Sequence, residues 1–587
     1  MKFWLNDKYY FKKRLKQQLK NGSIAIWNDP KYKITNLPID YRNLYKFALK
    51  ANKLQNYKNT NIVYQVLVYN YADGNNDGIG DFIGLTNKLD YIDNLGVDQI
   101  WLSPIHPSSN YHGYSVVNYC DVASQLGGMD AFLDFVNACH ARGIKVYLDL
   151  VFNHTSYEHP WFQEVLYNNN EQFKDFYRLN VEFIDSDTKV DSAKHRSKYL
   201  NVDQAKTINQ TSYLGRFWEG MPDLNLDNPA VIEQLIAIQQ YWTAIGVDGF
   251  RYDAIQEFYS SELETKNNFN EAKIFNLLRQ ASNKITNEQN REEVFMFGEW
   301  LNSNSTKGLK YLSYKDTKGL DTIYEGYKLF RHNHNLAIDH LKLNDLVTKY
   351  QKYNASLMPF LDNHDSARWI DNFKQKALKF NKSKMLKPIN NQIKQYQDQA
   401  LFVLFALPGV PIIYYANELY FQGTWKYGDL SLREPLKWKD QNYLLIKDNC
   451  NDKQIVMQTH SYTNGDFEDC YNQSNAVNLI EFMSKLRTKY PFLALTNINT
   501  IADYELFIDT EFMDNCIARI NPNNKNEILL FVFCDYRNNQ TTFTKISRDY
   551  YFKPLLLNNA KNNSWNIEVN QGGYALYLIE PKDKVIE

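Results

Sequence analysis

The chain has 587 residues, 44% of them hydrophobic and 23% charged, with 66 Lys and Arg against 67 Asp and Glu. That length predicts roughly two to four domains, and the composition suits a protein that buries a large core. The net charge of -1 offers no overall attraction to nucleic acid or an anionic membrane, and no run of about 18 apolar residues suggests a membrane span.

The first sixty residues are basic, with about fourteen Lys and Arg against about three acids. This stretch, 1–60, reads as an N-terminal extension. Phe11, Leu15 and Leu19 fall at helical spacing, which fits a short helix packed on the next domain, with a membrane-surface helix as the alternative. The opening MKFWLNDKYYFKKRLKQQLK is charged without a following apolar run, so no secretory leader is expected. The six cysteines, Cys120, Cys139, Cys450, Cys470, Cys516 and Cys534, form no CxxC pair and no metal-ligand spacing. They read as buried thiols of a cytoplasmic protein.

From Ile62 onward one unit recurs: an amphipathic helix, a glycine, then an apolar strand. Leu85, Leu89, Ile92 and Leu95 precede Gly96 and VDQIWL; Phe132, Val136 and Cys139 precede Gly143 and IKVYLDL; Ile232, Leu235, Ile238, Trp242 and Ile245 precede Gly246 and VDGFRYD. Glycine suits the left-handed position that ends a helix, and continuous apolar runs suit strands covered on both faces. IVYQVLVY (62–69), VFMFGE (294–299), LMPFLD (357–362) and PIIYY (411–415) are further strands. Alternation over roughly 400 residues predicts an α/β fold, a parallel (β/α)8 TIM barrel spanning 61–154 and 223–493. The polar, weakly periodic stretch 155–222 reads as a small domain inserted after the third strand. NAVNLIEFMSKLRTKY (475–490) reads as the last barrel helix, and the short β-like runs after it predict an all-β C-terminal domain, a β-sandwich over 494–587.

Catalytic side chains of such barrels stand at the C-terminal ends of strands. Asp149, Asn153 and His154 follow the third strand, Arg251 and Asp253 end the fourth, Glu299 ends the fifth, and His364 and Asp365 follow the seventh. Hydrolysing an acetal requires a proton for the leaving oxygen and a carboxylate facing the developing oxocarbenium ion. Asp253 fits the nucleophile, with Arg251 two residues earlier expected to keep it ionised. Glu299, on an apolar and aromatic strand, fits the general acid, its pKa raised by desolvation. A separation of about 5 to 5.5 Å and a covalent glycosyl-enzyme are expected of such a pair.

DLVFNH, GFRYD, GEW and FLDNHD resemble, in order and spacing, the four signature regions of the α-amylase family of glycoside hydrolases, and MPDLN (221–225) resembles a fifth. The resemblance covers roughly 62–580 and is nearest the bacterial α-amylase group lying between typical α-amylases and oligo-1,6-glucosidases. It implies a retaining enzyme that cleaves α-1,4 bonds of maltooligosaccharides or starch-like glucans, with Asp253 as nucleophile, Glu299 as acid/base and Asp365 as transition-state stabiliser. It further implies that His154, His364 and Arg251 bind the cleaved sugar and that Tyr114, in YHGYSVVNY, stacks on it. An α-glucosidase, oligo-1,6-glucosidase or glucosyl transferase shares all these residues and is the alternative. A non-catalytic barrel fits poorly, because all three acids are present.

Asp73, Asn75, Asp77 and Asp81, with Gly78 between them, form DGNNDGIGD, the first part of an EF-hand-like loop; Gly84 stands where a full EF-hand has its Glu. Similarity to family members implies a structural Ca2+ held by these side chains and the Ile79 carbonyl. Three departures from the family pattern stand out. Gln256-Glu257 replaces a common Lys-His, which puts a second calcium at Asn153 in doubt; Asn118 replaces Asp; and Ala416-Asn417 replaces Gly-Glu. The sequence carries no signal for oligomeric state.

Overall fold

A computed structural model describes residues 37–168, 170–179, 212–218, 220–258, 271–300, 308–314, 317–324, 336–380, 386–425, 429–441, 467–496, 508–509 and 513–582, with short pieces at 24–27, 29, 31–32, 34, 198–201 and 445–447. The basic helical stretch around Phe11, Leu15 and Leu19, and Cys450, lie outside these residues.

Seven strands form one parallel sheet: β1 (Val63–Val66), β2 (Gln99–Leu102), β3 (Lys145–Leu150), β4 (Gly249–Tyr252), β5 (Phe295–Glu299), β6 (Thr322–Tyr324) and β7 (Ile412–Tyr414). Their spatial order is β6-β5-β4-β3-β2-β1-β7. The segment before Leu361 supplies the remaining stave. Phe360 bridges Ile412 in parallel, the Leu357 and Pro359 carbonyls accept from Val410 N and Ile412 N at 2.8 Å each, and on the other side Thr322 Oγ1 donates to the Ser356 carbonyl. The expected (β/α)8 barrel is therefore present. The long run IVYQVLVY is a strand only over Val63–Val66, after which Val68–Tyr71 makes one buried helical turn.

Side-chain parity decides what fills this barrel. Val63, Trp101, Tyr147, Phe297, Tyr324, Met358, Phe360, Val410 and Ile412 form a cluster of their own, whereas Tyr64, Ile100, Val146, Leu148, Phe250 and Met296 join the larger core under the helices. The first set faces the axis and the second faces outward, as alternate strand positions must. Asp149 lies two residues beyond Tyr147, and Glu299 two beyond Phe297. Arg251, paired in register with Asp149 and Phe297, shares the inward parity, as does Asp253. The apolar plug thus ends in a charged layer at the carboxyl ends of the strands.

Helices Gly128–Ala141, Pro229–Ile245, Glu271–Glu288 and Asn475–Lys489 cover the outside. Asn228 accepts from Ala230 N, with Pro229 beginning the helix; Ser474 caps the last by accepting from Val477 N. Gly143 has φ 70°, and a Cβ there would lie 2.3 Å from the Asn56 carbonyl, so only glycine fits. That contact belongs to a strap, residues 37–61, which crosses the barrel's outer surface: Ala51 N donates to Ile245 O at 2.6 Å and Gln55 N to His140 O at 3.0 Å. Tyr41, fully buried, packs edge-on against Trp161 of the inserted segment, and its N–H donates to Gln234 on the barrel helix.

The insertion after β3 contains a helix, Pro160–Tyr167, and an antiparallel pair, Lys198–Asn201 with Ser212–Gly215. Beyond the last barrel helix, Cys516–Asn521, Asn524–Phe533, Gln540–Thr544, Tyr550–Asn562 and Asn566–Pro581 make one five-stranded antiparallel sheet. It is seated on helix Leu386–Ala406, where Phe402 meets Phe531 and Tyr574 and where Gln399 donates to the Cys534 and Gly573 carbonyls at 2.7 Å.

Candidate active site

Arg251 is the hub of the charged layer. Its Nη1 lies 2.6 and 2.8 Å from the two Asp149 oxygens and 2.8 Å from Asp253 Oδ1. Its Nη2 lies 2.8 Å from Glu299 Oε2 and donates to the Tyr324 hydroxyl at 2.9 Å. Three carboxylates from β3, β5 and the end of β4 thus meet one buried guanidinium. Ala254 N donates to Glu299 Oε2 at 3.0 Å, and Ala254 adopts φ 46° to do so, a conformation that costs energy for a residue with a Cβ.

Electrostatics separate the carboxyl groups. Burial pushes Glu299 up to about 7, with Asp253 and Asp365 adding to the effect of burial against Arg251. Burial likewise pushes Asp253 and Asp149 up to about 6 each. The direction for Glu299 is the expected one. For Asp253 it is the reverse, because burial outweighs the lowering by Arg251, and Asp149 and Asp365 add their repulsion.

Asp365 behaves differently. Burial opposes its ionisation, yet His364, Arg433 and Arg251 hold it well below the usual carboxylate range. His364 Nε2 is 3.1 Å from Asp365 Oδ2, and Arg433 Nη2 donates to Oδ1 at 2.8 Å. The Tyr114 ring lies parallel to that of His364, 5.4 Å between centroids and 2° between planes, with its hydroxyl 2.5 Å from His364 Nε2 and 3.2 Å from Asp149 Oδ2. His154 Nε2 faces the Tyr114 carbonyl at 3.1 Å, and burial lowers its pKa to about 4, so the ring is neutral near pH 7.

A cavity of about 240 Å³ opens over this layer, lined by His112, Tyr114, His154, Phe217, Trp218, Met221, Asp253, Asp365, Asp429 and Arg433. The structure therefore brings Tyr114, His154, Asp253 and Asp365 to one cavity, with Arg251 and His364 behind them and Glu299 on the same guanidinium. Sequence reasoning missed Gln65, whose Nε2 faces His364 Nδ1 at 2.8 Å; a lone polar residue inside IVYQVLVY is the signal that could have found it. It also missed Arg433, which pairs with Asp429 at 3.0 Å, while Tyr111 OH donates to Asp429 at 2.7 Å. These come from loops without periodicity.

At the departures from the family pattern, Glu257 accepts from Arg216 Nη1 at 2.6 Å, and Arg216 Nε lies 3.2 Å from Asp223. Asn417 Nδ2 donates to both Asp362 oxygens at 3.0 Å, and Asn118 Oδ1 accepts from Cys120 N at 3.1 Å.

The 73–81 loop folds around its own backbone. Asp73 accepts from Asn76 N and Gly78 N at 2.7 Å each, Asn75 from Asp77 N and Asp77 from Ile79 N at 2.9 Å each. Asp77 also accepts from the Tyr32 hydroxyl. Gly78 has φ 89°, as the turn requires. Asp81 caps helix Phe82–Asn87 through Oδ1, while its Oδ2 is buried without a hydrogen-bond partner. Burial raises Asp81 to about 6, and Asp73 and Asp77 raise it further against the backbone donors. An orphaned carboxylate oxygen crowded by two like charges fits a hard cation, although among the described residues no three acidic, His or Cys side chains already converge in a metal-holding group.

A parallel barrel carrying a carboxylate cluster and a neighbouring cavity at its carboxyl-end mouth defines an enzyme of the glycosidase class. Residues 65–490 match the family model described as the α-amylase catalytic domain, and the chain belongs to that family. It is 31% identical over 402 residues, 65% of this chain and 68% of the relative, to α-amylase 3 of Dictyoglomus thermophilum. It is 30% identical over 398 residues, 65% of this chain and 76% of the relative, to a 4-α-glucanotransferase of Thermotoga neapolitana. Among solved structures, an α-amylase from H. orenii shares the fold with TM-score 0.62 at 23% identity, covering 88% of this chain and 99% of that one.

Proposed function

We propose that this chain is a retaining α-amylase that cleaves α-1,4-glucosidic bonds of maltooligosaccharides or starch-like glucans. The observation that carries the reading is Arg251 joining Asp253 and Glu299 through its two terminal nitrogens. Asp253, exposed to the cavity, attacks the anomeric carbon. Glu299, protonated near neutrality, delivers a proton to the leaving oxygen and then takes one from water. Asp365, held ionised by His364 and Arg433, faces the positive charge that develops on the sugar. Tyr114 supplies the stacking face and His154 lines the same cavity, with Arg251 and His364 behind them as the supports of the sugar-binding layer. Incubation with maltoheptaose, pullulan, isomaltose and sucrose, followed by product chromatography, tests this: mixed maltooligosaccharides from maltoheptaose are expected. Glucose alone, or cleavage of isomaltose, favours an α-glucosidase or oligo-1,6-glucosidase instead. Transfer to a sugar acceptor is a second reading, favoured by the similarity to a relative named 4-α-glucanotransferase.

The same reading includes one structural Ca2+ in the 73–81 loop, held by Asp73, Asn75, Asp77, Asp81 and the Ile79 carbonyl. The partnerless oxygen of Asp81 supports it. The guanidinium of Arg216, paired with Glu257 and Asp223, brings positive charge to the Gln256-Glu257 pair that replaces the family's Lys-His, which argues against a second ion at Asn153. Among the described residues no helix is long and apolar enough to cross a membrane. Among the described residues Cys120, Cys139 and Cys534 are buried free thiols, which supports a reducing, cytoplasmic setting.

A further inference from the structure

Gln65 interrupts the apolar run IVYQVLVY with a side chain that is wholly buried. Val63, two residues earlier on β1, points to the same side and belongs to the apolar plug of the barrel. Gln65 therefore stands one layer nearer the carboxyl mouth. An apolar residue would fill that place without the cost of burying an amide. One end of the amide even goes unused, because Oε1 is buried without a hydrogen-bond partner. A buried polar group left half-satisfied calls for a reason, and its other end supplies one.

Gln65 Nε2 lies 2.8 Å from His364 Nδ1. An amide nitrogen donates and does not accept, so Nδ1 is the bare nitrogen of the ring and Nε2 carries the hydrogen. That hydrogen faces the Tyr114 hydroxyl oxygen at 2.5 Å and Asp365 Oδ2 at 3.1 Å. Tyr114, its oxygen serving His364, donates its own hydrogen to Asp149 Oδ2 at 3.2 Å. Asp149 also accepts from Arg251, whose other bonds reach Asp253 and Glu299. The donors at Gln65, His364 and Tyr114 thus all point one way, toward the hub. Trp101, paired in register with Gln65 on β2, packs edge-on against the His364 ring, 6.2 Å between centroids. Arg433 Nε holds the His364 carbonyl at 3.1 Å. The ring is fixed in place, and only its hydrogen has a choice.

We propose that Gln65 is a positioning residue: by donating to Nδ1 it fixes the His364 hydrogen on Nε2, and so orients the bonds of Tyr114, Asp149 and Asp365 around the reacting centre. The opposite tautomer shows what depends on it. With the hydrogen on Nδ1, a bare Nε2 lone pair faces the Asp365 carboxylate and repels it. Tyr114 then turns its hydrogen to Nε2, and Asp149 loses that donor. Asp365 keeps Arg433 but loses His364, and the preorganised field around the sugar weakens. An amide carries no charge at any pH, so it makes this choice without titrating.

The proposal rests on the glucan-cleaving reading for its effect on turnover, whereas the tautomer is read without substrate. On the full chain, the ring-nitrogen NMR signals of isotope-labelled histidine report which nitrogen carries hydrogen, and His364→Asn identifies the His364 pair by its loss. Near neutral pH, wild-type His364 is expected to show a bare Nδ1 and a protonated Nε2. Gln65→Met keeps the volume and removes the donor, and should populate the tautomer with hydrogen on Nδ1. Gln65→Glu puts an acceptor against Nδ1 and should hold hydrogen there. In both variants kcat for maltoheptaose should fall roughly tenfold, with KM changing much less. Hydrogen on Nδ1 of wild-type His364, or ring signals that stay at wild-type positions in both variants, would overturn the positioning role. Undiminished kcat in a variant whose hydrogen has moved would overturn it too. Wild-type protein that cleaves no glucan would overturn the glucan-cleaving reading alone, and the ring signals would still decide whether Gln65 sets the tautomer.

Discussion

Arg251 Nη2 lies 2.8 Å from Glu299 Oε2, while Nη1 of the same side chain lies 2.8 Å from Asp253 Oδ1. One guanidinium thus ties the groups assigned as acid and nucleophile, and their protonation follows from burial rather than from private partners. Asp253 must lose its proton to attack, so activity rises as pH passes about 6; Glu299 must keep its proton to donate, so activity falls as pH passes about 7. The expected pH dependence of kcat/KM is a narrow bell with its maximum between these values. Glu299→Gln should remove the alkaline limb when an activated fluoride donor is used.

Removing the hub leaves Asp149, Asp253 and Glu299 buried beside one another without a cation. Arg251→Ala is expected to lower stability by about 3–5 kcal/mol, measured by chemical denaturation, and to abolish turnover. An unchanged denaturation midpoint would show that the three carboxylates do not depend on this one charge.

Arg433 acts on Asp365 from outside the barrel strands, through a 2.8 Å bond. Arg433→Ala should lower kcat roughly tenfold or more and introduce a new acidic limb in kcat as Asp365 loses part of what holds it ionised. An activity loss with an unaltered pH profile would assign Arg433 to binding alone.

The 73–81 loop has a pH signature of its own. Asp81 has a folded pKa of about 6, above its ordinary value. Without a cation, therefore, the stability its proton contributes is present at low pH and lost as pH rises through 6. A bound ion replaces that proton. EDTA should lower the Tm by several degrees at pH 8 and by much less at pH 5, and Asp77→Ala should abolish the difference. Equal Tm values with and without EDTA at pH 8 would contradict the proposed ion.

The barrel was legible because two periods coincide in the chain: helical faces such as Ile232, Leu235, Ile238, Trp242 and Ile245, and strands whose polar exceptions fall at the last inward positions. Asp149, Arg251, Asp253 and Glu299 are visible for that reason. Gln65 obeys the same parity and was readable in principle. Arg433, Asp429 and Tyr111 were not, because loops impose no period and their pairing joins segments more than 300 residues apart. The direction of the Asp253 shift was also beyond the sequence: the pair Arg251–Asp253 is visible in GFRYD, but the burial of Asp253 and its approach to Asp149 and Asp365 exist only in three dimensions. The strap at 37–61 is held largely by backbone groups, such as Ala51 N on Ile245 O, which any side chain could accompany.

Trapping the covalent intermediate tests the assignment of Asp253 most directly. Glu299→Gln with α-maltosyl fluoride should accumulate a protein heavier by one maltosyl group, because the fluoride leaves without an acid and no base activates water. Peptide mapping by mass spectrometry should place that mass on Asp253, and Asp253→Asn should eliminate it. A maltosyl ester on any other carboxylate, or rapid hydrolysis of the fluoride by the double variant, would contradict Asp253 as the nucleophile.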